Sequence, residues 1–94
     1  MDSEQHRDGL DQINRAISAA IHPRRASVSF AVHGPATAPG AIFEVKVGDT
    51  EVRQVFTYEE IVDSHKTLTT AVAMKVRHLA AEVARLPIMS DVFN

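Results

Sequence analysis

Between residues 27 and 56 the apolar side chains of this chain fall mostly on every second position. On either side of that stretch they fall on every third and fourth. A period of two sends alternate residues to opposite faces of a strand, whereas spacings of three and four gather residues on one face of a helix. No single element satisfies both patterns. The chain must run helix, strands, helix, and each helix must lay its apolar stripe on the apolar face of the strands. At 94 residues there is room for one such arrangement. Residues 1–94 therefore read as a single α+β domain, with 1–8 and 88–94 as frayed ends.

In the first helical stretch Leu10, Ile13, Ile17, Ala20 and Ile21 share one face. Asp2, Ser3 and Glu4 suit the positive end of a helix dipole. Gly9 weakens the early turns by ~1 kcal/mol relative to alanine, which predicts an ordered start near it. His22-Pro23 closes the helix, because a residue before proline avoids helical angles. In the last stretch Thr57-Tyr58-Glu59-Glu60 has the spacing of a capping box. Ile61, Leu68, Val72, Val76, Leu79, Val83 and Leu86 follow as one apolar stripe, and Pro87 ends it. This reads as one long helix, or as two pieces with a break at Asp63 or Ser64, either of which offers a second start. Ile88, Met89, Val92 and Phe93 then form a tail with apolar groups to dock on the core.

Between the helices, Val28, Phe30 and Val32 alternate with Ser27, Ser29 and Ala31 as a first strand, and Gly34-Pro35 to Pro39-Gly40 bounds a loop. Residues 41–56 read as a hairpin about Gly48-Asp49, where glycine in the first turn position suits type II′. That register sets Val47 opposite Thr50, Lys46 opposite Glu51, Val45 opposite Val52 and Glu44 opposite Arg53. Two opposite-charge pairs share one face, and Phe43, Val45, Val52 and Phe56 share the other. A slip of one residue would set Lys46 against Arg53. Gln54 is the polar residue that this register carries onto the apolar face. The predicted architecture is a two-layer sandwich in the order α-β-β-β-α, a three-stranded antiparallel meander with both helices on one face.

Much chemistry is excluded. There is no cysteine, so no disulfide, thiolate metal site or cysteine nucleophile. Ten lysines and arginines against twelve acids leave a net charge of −2, which is not the balance of a strongly basic nucleic-acid binder. No apolar run approaches the ~18 residues of a membrane span, and the polar start Met1–Gly9 has no leader-like apolar stretch, so a cytoplasmic location is expected. The five histidines show no His-x-x-x-His spacing. His65 and His78, thirteen residues apart on one helix, would sit roughly 220° apart around it. Solvated histidines and no metal are expected. Asp63, Ser64 and His65 resemble a triad in letters only, since neighbours on a helix point apart. Glu59 and Glu60 read as first-turn acids. His22, Arg24 and Arg25, with Arg15, form a basic cluster at a helix C-terminus, and Lys75, His78, Glu82 and Arg85 read as a solvated face of mixed sign. With no nucleophile elbow and no phosphate-binding glycine loop, no catalytic residue and no cofactor are expected.

What remains is surface. The hairpin register makes Ile42 and Val55 cross-strand neighbours on the face away from the helices, and Ala31 extends them if the first strand adjoins. The strand edges at 28–33 and 51–56 can each add a strand. These features predict a non-enzymatic module that binds another protein or a second copy of itself through Ala31, Ile42 and Val55.

The order helix, three strands, helix, the Gly34-Pro35 loop, the stretch Phe43-Glu44-Val45-Lys46-Val47-Gly48 and the Ser64-His65-Lys66 run together resemble the double-stranded-RNA-binding domain. The resemblance implies that fold, and RNA contacts from Lys66 and His65, which the basic Arg24 and Arg25 would extend. The chain departs from the family where Ala36, Thr37 and Ala38 stand in place of a loop histidine, and where Glu59, Glu60 and Asp63 precede Lys66. In overall character the chain is also similar to a small protein of Burkholderia-type bacteria, a likeness that implies no function.

Overall fold

The computed structural model describes residues 2–21 and 26–86. Six elements follow in order: α1 (Asp2–Ala20), β1 (Ser27–His33), β2 (Gly40–Val47), β3 (Thr50–Phe56), α2 (Tyr58–Asp63) and α3 (Thr70–Ala84). The strands form one antiparallel meander in the order β1-β2-β3, with the helices packed against it. The α+β sandwich expected from the two periodicities is the fold observed.

The hairpin register is the one that charge matching predicts, with Val47 opposite Thr50 and Glu44 opposite Arg53. Gly48 has φ 61° while no residue other than glycine has positive φ among those described, so the turn is of the II′ kind with Gly48 first. The ion pairing differs from expectation. Arg53 binds Glu44 at 3.0 Å and also takes Glu51 at 2.8 Å, along its own strand, so Glu51 does not depend on Lys46. A guanidinium offers a fork of donors where an ammonium offers a point charge. Gln54 does lie on the inner face, opposite Phe43, and is only half-buried because β3 is an edge strand. Its amide nitrogen donates to Val55 O at 3.4 Å.

The core draws Leu10, Ile13, Ile17 and Ile21 from the first helical segment. It takes Ala41, Phe43, Val45 and Val47 from β2, Phe56 from β3, Ile61 from α2, and Val72, Val76, Leu79 and Val83 from α3. Each of the larger side chains contributes ~1.5–3 kcal/mol by leaving water. Ala20, expected on the inner face, is exposed. The start of α1 also differs. The helix begins at Asp2 and runs straight through Gly9. Gly9 is buried, and a Cβ built there would stand 1.8 Å from the Ile61 carbonyl oxygen. The absence of a side chain at Gly9 therefore lets α1 and α2 approach closely there. His22, Pro23, Arg24, Arg25 and the 87–94 tail lie outside the described residues.

The expected long second helix is two helices. Thr57 closes a full capping box on α2: its Oγ1 accepts the Glu60 N–H at 3.2 Å and its own N–H donates to Glu60 Oε1 at 2.9 Å. The helix stops after Asp63. The break therefore falls at Asp63-Ser64, where the sequence offered one, but the next helix starts after Thr69 rather than there. The buried Ser64 Oγ accepts the Thr69 N–H at 3.3 Å, and Thr69 Oγ1 accepts the Val72 N–H at 3.2 Å. Two hydroxyls thus serve the orphan donors of the break, the work that serine and threonine do better outside helices than within them. The apolar stripe survives the break because Ile61, Val72, Val76, Leu79 and Val83 are all still buried, with Leu68 and Leu86 packed alongside.

Candidate functional site

The outer face of the sheet, away from the helices, carries the strand residues that alternate with the core. Strand pairing sets Ala31 opposite Ile42 and Ile42 opposite Val55, so the three form one row across the whole sheet. Ala31 is exposed, Ile42 half-buried and Val55 46% exposed. The neighbouring row is Ser29, Glu44 and Arg53, in which Arg53 is clamped between Glu44 and Glu51. The hydrogen bond to Glu44 first, and then the charge of Glu51, raise the Arg53 guanidinium above its ordinary value. A shallow depression of about 340 Å³ lies between these rows, lined by Ser29, Phe30, Ala31, Ile42, Glu44 and Arg53. The outer face thus presents an apolar row with Ser29 and an engaged Glu44–Arg53 ion pair along its border.

The two sheet edges differ. On β3, Lys75 of α3 reaches the Val55 carbonyl at 2.9 Å and Glu60 Oε1 at 2.7 Å, with its ammonium 5.4 Å from the Phe56 ring centroid. Lys75 is thus not the freely solvated residue its sequence stripe suggests. Burial pushes the Glu60 carboxyl up, but the bonds from Lys75 and the Thr57 N–H outweigh it and hold it below the usual carboxylate range. β1 is the other edge, and no described strand pairs with its outer side. The inner side of β1 is also open. Phe30 is 42% and Val32 49% exposed, although their partners on β2, Phe43 and Ala41, are fully buried. Alternation puts Phe30 and Val32 on the apolar face of β1, and the helix layer does not extend far enough to cover them.

The residues with the resemblance to an RNA-binding surface are scattered in role. Lys66 and His65 lie in the 64–69 linker, not on a helix. Lys66 is exposed, and its carbonyl accepts Gln12 Nε2 at 3.0 Å. His65 is half-buried, and its Nδ1–H donates to Val62 O at 2.8 Å. Arg24 and Arg25 lie outside the described residues, and Arg15 is engaged with Asp11 at 2.9 Å. Asp63, Ser64 and His65 do not converge: Ser64 faces Thr69 and His65 faces Val62.

His6 was expected in solvent. Instead it is half-buried, its Nε2–H donating to Pro39 O at 2.9 Å and its ring stacked on Tyr58 at 5.6 Å between centroids. A hollow of about 240 Å³ lies beside this pair, lined also by Ser3, Ala36 and Thr37. The imidazole ties α1 to the 34–39 loop. Among the described residues no three His, Cys, Asp or Glu side chains stand close enough to hold a metal ion, and no helix is long and apolar enough to cross a membrane. No protein-family model matches the chain, and no curated protein and no solved structure matches it.

Proposed function

We propose that this chain is a non-enzymatic interaction module that binds a protein on the uncovered side of its sheet, in a cytoplasmic setting. The observation that carries the reading is the row Ala31, Ile42 and Val55, which crosses all three strands on the face that no described helix covers. Apolar residues of a free sheet face gain by leaving water, at ~25 cal/mol per Å², and the Arg53 ion pairs beside them supply a polar border. The absence of cysteine suits a reducing compartment.

The test is capture of partners from native lysate by the wild-type chain and by Ile42→Ser/Val55→Ser, with circular dichroism to show that both are folded. A stoichiometric partner held by the wild type and lost by the double variant supports the reading. Retention of that partner by the folded double variant sinks it. A second reading, recognition of duplex RNA, has the exposed Lys66 in its favour. It predicts salt-sensitive binding that Lys66→Glu abolishes, and a lack of binding at low salt removes it.

A further inference from the structure

We infer that, besides the partner of its sheet face, this chain binds a second copy of itself, joined edge to edge through β1 to give a six-stranded antiparallel sheet. This second contact goes beyond the reading of the sheet face and uses a different surface. Its basis is the difference between the two edges. Natural edge strands are guarded by charge, proline, bulges or a covering segment. The β3 edge has Glu51 and Arg53, and Lys75 sits on its Val55 carbonyl. The β1 strand, Ser-Val-Ser-Phe-Ala-Val-His from Ser27 to His33, has no Lys, Arg, Asp, Glu, Pro or Gly. It pairs with β2 at every position without a bulge, so its outer side is a straight ladder of seven residues.

The sequence of β1 is complementary to itself. A two-fold axis at Phe30 sets Val28 opposite Val32 of the second copy, Phe30 opposite Phe30, Ser29 opposite Ala31 and Ser27 opposite His33. Apolar meets apolar on the inner face, small and polar residues meet on the outer, and no like charges are opposed. Moving the axis to Ser29 or Ala31 leaves strand residues unpaired at the ends. Moving it by half a step turns the second copy over, so that Phe30 meets the outer face. The Phe30 axis alone uses the whole strand and keeps both helix layers on one side. It also covers what the monomer leaves open. Phe30 stacks on Phe43 at 4.8 Å, and the dimer extends this pair into an inner row of Phe43, Phe30, Phe30 and Phe43. Val32, 49% exposed, gains a valine neighbour.

Sedimentation equilibrium of the full chain, from micromolar to millimolar concentration, reads the stoichiometry directly. The expected result is a species of twice the 10.3 kDa chain mass. Val32→Lys and Val28→Glu, each shown to be folded, should each weaken association at least tenfold, since each sets two charges against valine. An equimolar mixture of the two should associate more tightly than either alone, because that pairing sets one Lys against one Glu and leaves one valine pair intact. Ile42→Ser/Val55→Ser should remain dimeric. A wild type that stays monomeric overturns the inference, whether the edge is empty or is taken by another segment of this chain. A dimer that Val32→Lys does not weaken, or a mixture no tighter than its components, overturns it as well. Each of these failures leaves the capture experiment on Ile42 and Val55 to judge the module reading independently.

Discussion

Gly9→Ala sets two known effects against each other, and the structure decides which wins. Alanine in a helix interior is better than glycine by ~1 kcal/mol, so an exposed site would gain that much. At Gly9 the added methyl would lie 1.8 Å from the Ile61 carbonyl oxygen, 2.6 Å from its carbon and 3.0 Å from its Cγ2. Two of these three contacts are backbone, so no rotamer change relieves them. α1 and α2 must separate by more than 1 Å, which disturbs the packing of Leu10, Ile13 and Ile61. Overpacking of a core costs ~1–3 kcal/mol, occasionally more, and a backbone collision belongs at the upper end. After the helix-propensity gain the expected loss is ~2 kcal/mol or more. Urea unfolding followed by circular dichroism measures it. With a slope near 1.5 kcal/mol/M, the midpoint should fall by ~1.3 M. Ser18→Ala, on the exposed side of the same helix, is the control and should be neutral or stabilising within ~0.5 kcal/mol. A Gly9→Ala midpoint equal to or above wild type would refute the argument, because propensity would then have prevailed over a contact that geometry forbids.

Two further predictions follow from the same structure. Lys75→Met removes the bonds to Val55 O and Glu60 and should destabilise the fold by about 1 kcal/mol, the pair being partly exposed and screened. The Glu60 carboxyl lies below its usual range when folded, so its contribution is present above the unfolded carboxylate pKa and lost as pH falls through the lowered folded value. Lys75→Met should therefore narrow the stability difference between pH 7 and acid, and an unchanged acid dependence in urea titrations would contradict the role assigned to Lys75. Thr69→Ala leaves the Val72 N–H without its side-chain acceptor and should cost ~1 kcal/mol, read as a shift in thermal midpoint. If the variant melts with wild type, α3 does not depend on that cap.

The hairpin and the capping box were legible because both are local. Register in a two-residue turn follows from the turn itself, and charge matching between Glu44 and Arg53 agrees with it. Ile42 and Val55 could be paired on those grounds. Ala31 could only be added conditionally, since its place opposite Ile42 requires pairing across the 34–39 loop. The break at Asp63-Ser64 was legible only as an alternative to a continuous helix, because the apolar stripe keeps its phase across it, and the restart at Thr69 was not legible at all. Ser64 and Thr69 had the hydroxyls to cap a restart, but which one would do so depended on Ser64 being buried.

Periodicity, turn chemistry and capping residues thus determined the order of elements, the face of each that seeks the core, and the Ile42 and Val55 side of the hairpin as the face that does not. Tertiary structure decided how far the cover extends. It brought α1 against Ile61 at Gly9, sent Lys75 across to one sheet edge, and left Phe30 and Val32 of the other edge open. The division has a physical cause. A residue's own neighbours set its dihedral angles and the face on which its side chain emerges. Burial depends on where a second layer comes to rest, and that position is a balance over the whole core.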